Sequence, residues 1–256
     1  MKYSRTDLIT RFDSGEAFKH IFFWGHQLSK EELTKSCFSQ WYPSPFAVED
    51  ITYQTGEHWM MAQKARVFKD DKMLEAIIQS EKPAEAKELG RKVKNFDEHT
   101  WYQHRYAIVL SGNFHKFSQH PEMGTFLKNT DPYVLVEASP RDRIWGIGLS
   151  QDAENVENPH TWQGHNLLGF ALMEVRDILQ ALDDLEREEP GSLILPPWFQ
   201  YPALAENAPE WQQQQEMLYL MQIAKYFHGL EDAQKEIYQN IFPASGQWAA
   251  FYEAMR

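Results

Sequence analysis

Thr55-Gly56-Glu57-His58-Trp59-Met60-Met61-Ala62-Gln63-Lys64-Ala65-Arg66-Val67-Phe68 is the segment that most constrains the architecture. It has no proline and many good helix formers, and Thr55 can cap it, so a helix is expected from there to about Phe68. At ~100° per residue, Glu57, Met61, Lys64 and Phe68 share one stripe. A carboxylate and an ammonium thus stand among apolar neighbours, where they must pair, reach solvent, or face a pocket. Seven residues span about 10 Å of helix axis, too far for Glu57 and Lys64 to pair closely unless both side chains reach inward.

Upstream of this helix, Ile21-Phe22-Phe23-Trp24 before Gly25 reads as a short buried strand. Two prolines in Trp41-Tyr42-Pro43-Ser44-Pro45-Phe46 forbid helix, and Phe46, Val48, Ile51 and Tyr53 suggest a hairpin turning near Glu49-Asp50. Downstream, helices are expected over 72–79, from Pro83 to Gly90, and over about 98–110. Val134-Leu135-Val136 is a short buried strand that runs into Ser139-Pro140-Arg141-Asp142-Arg143-Ile144-Trp145-Gly146-Ile147-Gly148, a loop whose proline and glycines set the backbone. Leu168, Leu172, Val175, Leu179 and Leu182 then mark a helix packed on a core. Strands and helices in this mixture give an α+β class, helix-rich with a small β-sheet.

Residues 183–208 hold an acidic run and the Pro190-Gly191-Ser192 and Pro196-Pro197 breaks, and so form the best linker or irregular arm. A second unit follows, with a helix between Pro209 and Gly229 and shorter ones over 231–241 and 247–255. The domain reading is therefore 1–182 for the site-bearing domain and 183–256 for an acidic helical extension. Trp198, Phe199, Trp211, Trp248 and Phe251 are too apolar for a free tail, so the extension is expected to pack on the first domain or to make an oligomer contact.

Charge and composition narrow the chemistry. The chain has 256 residues, 25 Lys plus Arg against 37 Asp plus Glu, and a net charge of -12, which opposes broad attraction to nucleic acid. Residues 181–256 contribute twelve acids and four bases, leaving twenty-five acids and twenty-one bases in 1–180, where a local basic pocket can form. Cys37 is the only cysteine, which excludes an internal disulfide and a thiolate cluster within one chain. No run approaches ~18 apolar residues and the first twenty lack a signal peptide's apolar block, so the expected location is the cytoplasm. His-Glu-x-x-His and Gly-x-Ser-x-Gly are both absent. His99/His104 and His115/His120 are five apart and off a common helical face, and Gly146-Ile147-Gly148 lacks the third glycine of a dinucleotide loop. Asp142 between Arg141 and Arg143 is either a solvated charge cluster or a carboxylate presented into a cleft.

Six blocks occur in a familiar order: Phe38-Ser39-Gln40-Trp41-Tyr42-Pro43-Ser44-Pro45-Phe46; Glu57-His58 with Ala62-Gln63-Lys64; Leu89-Gly90-Arg91; Leu135-Val136-Glu137; Asp142 with Trp145-Gly146-Ile147-Gly148-Leu149; and Asn166-Leu167-Leu168-Gly169 with Leu172-Met173-Glu174-Val175-Arg176. Over about residues 20–180 the chain resembles the NADAR superfamily, typified by the YbiA-like N-glycosidases. The resemblance implies a compact α+β domain that hydrolyses N-glycosidic bonds. One branch of that family removes ribosyl phosphate from early riboflavin-pathway intermediates, and another removes ADP-ribose from guanine. Matched by motif, Glu57, Lys64 and Asp142 are the catalytic candidates and Trp101 is the family's helix tryptophan. Arg91, Trp145, Gly146, Gln40 and Phe46 complete the expected substrate-binding set. Departures are Ser39-Gln40-Trp41 for Ser-Asn-Phe, Thr55-Gly56-Glu57-His58 for Thr/Ser-x-Glu-His, and Ala65 where an aromatic residue is usual, and they bear on base or sugar specificity.

Breaking a ribosyl C–N bond develops positive charge on C1 and negative charge on the base, so anionic stabilisation and a proton donor are both needed. Glu57 and Asp142 can supply them. Lys64, desolvated by Met61 and Phe68, could instead attack C1 of an opened ribose. Trp101 would stack on the heterocycle, and Arg91, Arg141 and Arg143 would meet phosphate. No metal or redox cofactor is required. The expected partner is a ribosylated heterocycle, riboflavin intermediates first. ADP-ribosylated guanine in nucleic acid, with the chain as antidote to a toxin, is the alternative, and a non-catalytic module for NAD or ADP-ribose is a third reading. No membrane partner is expected.

Overall fold

The helix that begins at Gly56 is the element on which its neighbouring helices pack. In the computed structural model, which describes residues 1–29, 32–185, 193–244 and 246–255, the chain divides into two compact units, Met1–Leu179 and Gln180–Arg256. After α1 (Arg5–Asp13), β1 (His20–Phe23) lies parallel to β4 (Val134–Glu137), with His20 opposite Val134 and Phe23 opposite Glu137. Parallel neighbours need a long crossover. Here it contains the hairpin β2 (Phe46–Val48) and β3 (Ile51–Tyr53) and five helices: α2 (Gly56–Val67), α3 (Asp71–Gln79), α4 (Pro83–Arg91), α5 (Glu98–Gln119) and α6 (Pro121–Lys128). The hairpin turns on Glu49, at φ 54, and buries Phe46, Val48 and Tyr53. α7 (Leu167–Leu185) carries the leucine stripe, with Leu168, Leu172, Val175, Leu179 and Leu182 buried.

α2 begins where Thr55 caps it: the hydroxyl accepts from the His58 backbone N–H and contacts His58 Nδ1 at 2.8 Å, while His58 Nε2 meets the Ser80 carbonyl at 3.1 Å. His58 is thus a core residue that fixes the helix start. Nearly every α2 side chain is buried, because α3, α4 and α5 pack around it. Two glycines permit this. A Cβ on Gly90 of α4 would lie 2.0 Å from Met61 Sδ, and one on Gly112 of α5 would lie 2.3 Å from Trp59 Cδ1. Trp59 Nε1 then donates to the Ile108 carbonyl at 2.8 Å.

Several boundaries differ from expectation. α5 runs to Gln119 rather than stopping near Leu110: Ser111, Gly112 and Asn113 are buried, Gly112 lies against Trp59 of α2, and Asn113 donates back to the Val109 carbonyl at 2.8 Å. α6, with Pro121 in its first turn, was not expected as a separate helix. β1 starts and stops one residue early, leaving Trp24 64% exposed.

The second unit has α8 (Pro197–Gln200), α9 (Gln214–Gly229), α10 (Asp232–Ile241) and α11 (Phe251–Ala254). Its core is aromatic: Tyr238 is fully buried, donates to the Ile194 carbonyl at 2.7 Å, and contacts the rings of Phe227, Phe242 and Tyr252. The Pro190-Gly191-Ser192 break lies outside the described residues. No described helix is long and apolar enough to cross a membrane.

Candidate active site

Three of the four stripe residues on α2, Glu57, Met61 and Lys64, line an open cleft of about 650 Å³ within the first unit, with Met60 beside them, while Phe68 is buried against Phe96. α4 supplies Lys87, Gly90 and Arg91, and α5 supplies Trp101. The segment after the 3-10 turn Lys35–Phe38 supplies Gln40 and Trp41, while the end of β4 and the loop beyond it supply Glu137, Arg141, Asp142 and Trp145. The sequence candidates Glu57, Lys64, Asp142, Trp101, Arg91, Trp145 and Gln40 therefore meet in one place.

Glu57 is 3% exposed in the first turn of α2. Its Oε2 accepts from Trp41 Nε1 at 3.1 Å, and its Oε1 is buried without a partner. Burial pushes its carboxyl up to about 7, opposed by the Lys87 ammonium and the Trp41 hydrogen bond. The backbone N–H of Glu57 donates to the Gln40 carbonyl at 2.9 Å, which ties the helix start to the Gln40-Trp41 segment. Gln40 itself donates to Asn113 Oδ1 at 2.9 Å, and its amide presses on Gly56, where a Cβ would come within 2.5 Å of Oε1.

Lys64 donates to the Gly90 carbonyl at 2.8 Å and sits 4.2 Å from the Phe96 ring centroid and 5.8 Å from that of Trp101. Burial lowers its pKa. The rings against the ammonium are Phe96 and Trp101, and Phe96 in turn packs on Phe68 with ring centroids 5.3 Å apart. Asp142 is half-buried, and its Oδ1 accepts the backbone N–H groups of Ile144 and Trp145, both at 2.8 Å. That pair of bonds closes the turn and holds the carboxylate at the cleft.

Two expected binding residues are placed elsewhere. Phe46 is 1% exposed and packs against Tyr53, Trp59 and His115, so it supports the hairpin from inside the core. Gly146 lies behind the lining: its carbonyl accepts from Asn166 N–H at 3.1 Å, and a Cβ there would meet the Glu137 carbonyl at 2.8 Å. Arg143, a phosphate candidate, donates to Gln163 Oε1 at 2.9 Å and is not part of the wall, whereas Arg141 is.

Sequence reasoning did not single out Trp41, Lys87 or Glu137 as site residues. Lys87 lies 5.6 Å from the Trp41 ring centroid and is the cation acting on both buried carboxyls. Glu137 ends β4. Its N–H donates to Asn166 Oδ1 at 2.9 Å, its carbonyl accepts from Ile147 N–H at 2.9 Å, and its Oε2 is buried without a partner. Burial, reinforced by the charges of Asp142 and Glu57, pushes its carboxyl up to about 8. Its strand-end position could have flagged it, since ligand clefts form at the carboxyl ends of parallel strands, and so could its place in the Leu135-Val136-Glu137 block.

The chain is similar to proteins of known sequence and structure. The NADAR domain family matches residues 22–180. An N-glycosidase of Acanthamoeba polyphaga mimivirus is 40% identical over 168 residues, covering 63% of this chain and 97% of that protein. N-glycosidase YbiA of Escherichia coli (strain K12) is 32% identical over 144 residues, covering 56% of this chain and 79% of its own length. The NMR structure of the E. coli protein YbiA superposes with a TM-score of 0.52 at 28% identity, covering 68% of this chain and 92% of that one.

Proposed function

Since this chain belongs to the NADAR domain family, we propose that it hydrolyses the bond between a ribosyl group and the nitrogen of a heterocyclic base. The observation that carries this reading is Glu57, a buried carboxyl with one oxygen held by Trp41 and the other unpartnered, in a cleft that also holds Lys64. N-glycosidase relatives at 40% and 32% identity support the reaction class.

Each part has a task in that reaction. Cleavage leaves positive charge on C1, which an ionised Glu57 stabilises, and the same carboxylate accepts the proton of the attacking water. The Trp41 N–H fixes which oxygen does this. Trp101 and Trp41 offer flat faces for the base, and Arg91 and Arg141 offer forked donors for phosphate. Lys64 provides a covalent variant: its amine, less readily protonated after burial, adds to C1 of the ring-opened ribosyl group, the base departs with the C1–N electron pair and a proton to leave a Schiff base, and water hydrolyses that to the free sugar and the amine.

A ribosyl-phosphate intermediate of the riboflavin pathway is the first substrate reading, because the cleft pairs stacking faces with arginines. ADP-ribosylated guanine is the second, favoured by Trp24, which adds an exposed indole to the wall. The test is a mass-spectrometric screen of the full-length chain against a ribosylaminopyrimidine phosphate, ADP-ribosylated guanine DNA and NAD. Release of free base from at least one supports the proposal. Binding without release from any would make the chain a ligand-binding module instead.

A further inference from the structure

The cleft holds a second buried carboxyl that the reaction as described leaves unused. We propose that Glu137 is a further catalytic residue, the acid that protonates the departing base. Among the described residues lining the cleft, buried carboxyl oxygens without a partner occur on Glu57 and Glu137 alone. A carboxyl that delivers a proton needs an oxygen not already committed to the protein, and Glu137 Oε2 meets that condition. Asp142 commits Oδ1 to two backbone N–H groups.

The fold also holds Glu137 from both sides. Asn166, itself fully buried and at φ 55, accepts the Glu137 N–H with Oδ1 and donates to the Leu135 carbonyl through Nδ2 at 2.9 Å. The loop beyond β4 returns to the Glu137 carbonyl through Ile147 N–H. Pinning a strand-end residue at N–H and C=O, with its carboxyl in the cleft, is how a proton donor is held in register with a substrate.

The electrostatics agree with a division of labour. Glu57 faces this carboxyl from α2 and Asp142 from the loop, both raising its pKa, while Lys87 faces it from α4 and lowers it. Two carboxyls in one cleft resist double ionisation. Trp41 Nε1 donates to Glu57, a bond that favours its ionised form, and Glu137 Oε2 has no such donor, so the proton rests on Glu137 while Glu57 carries the charge. In the reaction the C1–N electron pair goes to the base nitrogen, which takes the Glu137 proton directly or through a conjugated heteroatom. Water bonds to C1 and gives its proton to Glu57. Transfer of that proton to Glu137 through solvent restores the starting state, and one water is consumed.

This inference rests on the N-glycosidase reading, and its test separates the two. The full-length chain, labelled at glutamate Cδ, is titrated by NMR from pH 5 to 9.5 as wild type, Glu137→Gln and Glu137→Asp, and each is assayed across the same range on whichever panel substrate the wild type cleaves. A glutamate signal titrating above pH 7 and missing from both variants is expected. Glu137→Gln should slow turnover about 100- to 10,000-fold and lose the alkaline fall of the pH profile, while Glu137→Asp keeps that limb at reduced rate. Because both variants delete the glutamate signal, the assignment does not depend on Glu137→Gln folding. A Glu137 signal titrating below pH 6, or a folded Glu137→Gln with near-normal turnover or an intact alkaline limb, would overturn the proposal. A wild type that cleaves no substrate refutes the underlying reading, and the role of Glu137 falls with it.

Discussion

Replacing Glu57 by Gln changes one buried carboxyl for an uncharged group of the same shape, and its effect on stability should depend on pH in a calculable way. In the folded chain the carboxyl is pushed from its ordinary 4.5 up to about 7, chiefly by burial. The folded state therefore holds the proton more tightly than the unfolded state. Stability from this group is fully present below pH 4.5 and declines as pH rises through about 7. The total decline is about 3 kcal/mol, from 1.36 kcal/mol per pH unit across that interval. The Glu57→Gln variant would have no such dependence at this position. The introduced carboxamide oxygen can still accept from Trp41 Nε1, but the NH2 group would occupy the place of the unpartnered Oε1, a cost independent of pH. Comparing wild type with Glu57→Gln at both pH 5 and pH 8 cancels that cost. Urea unfolding of the full-length chain, followed by circular dichroism, should show the variant gaining about 2 to 3 kcal/mol relative to wild type between the two pH values. A difference that does not change with pH would refute the claim that Glu57 is buried and desolvated.

Three further outcomes follow from particular contacts. Borohydride added during turnover should attach ribosyl mass to the Lys64 peptide; no adduct, together with an active Lys64→Arg, would leave direct water attack as the route. Gly112→Ala should destabilise the first unit by about 1 to 3 kcal/mol, because its methyl would lie 2.3 Å from the buried Trp59 ring; unchanged urea unfolding would refute the reading of that close approach. Truncation after Leu185 should leave base release intact, since every residue lining the cleft lies between Trp24 and Leu168; a soluble truncated chain without turnover would place catalytic groups in the second unit.

The sequence was most legible where one rule dominated. The Thr55 cap, the turn at Glu49-Asp50 and the α7 leucine stripe each follow from local chemistry, and the structure has all three. The Glu57–Lys64 stripe was legible as two ionisable groups on one helix face, and that face lines the cleft. What periodicity cannot carry is what packs across from a residue. The continuation of α5 past Leu110 depends on Trp59 of α2, which fills the space over Gly112. The ring nearest Lys64 is Phe96, which comes from the connector between α4 and α5, and a stripe confined to α2 could not supply it. Phe46 looked like a binding residue by its motif and is core by its burial. Glu137 ends an apolar strand, and its burial in the cleft and its partnerless oxygen, which set it apart from a solvated strand end, depend on what packs around it.

The central claim is that this cleft cleaves a ribosyl C–N bond with Glu57 at its centre. The most direct test is mass spectrometry of base release from the panel, with wild type and folded Glu57→Gln run side by side at neutral pH. Wild type should release free base, and the variant should do so about 100- to 10,000-fold more slowly. Equal release by the two proteins would contradict the claim.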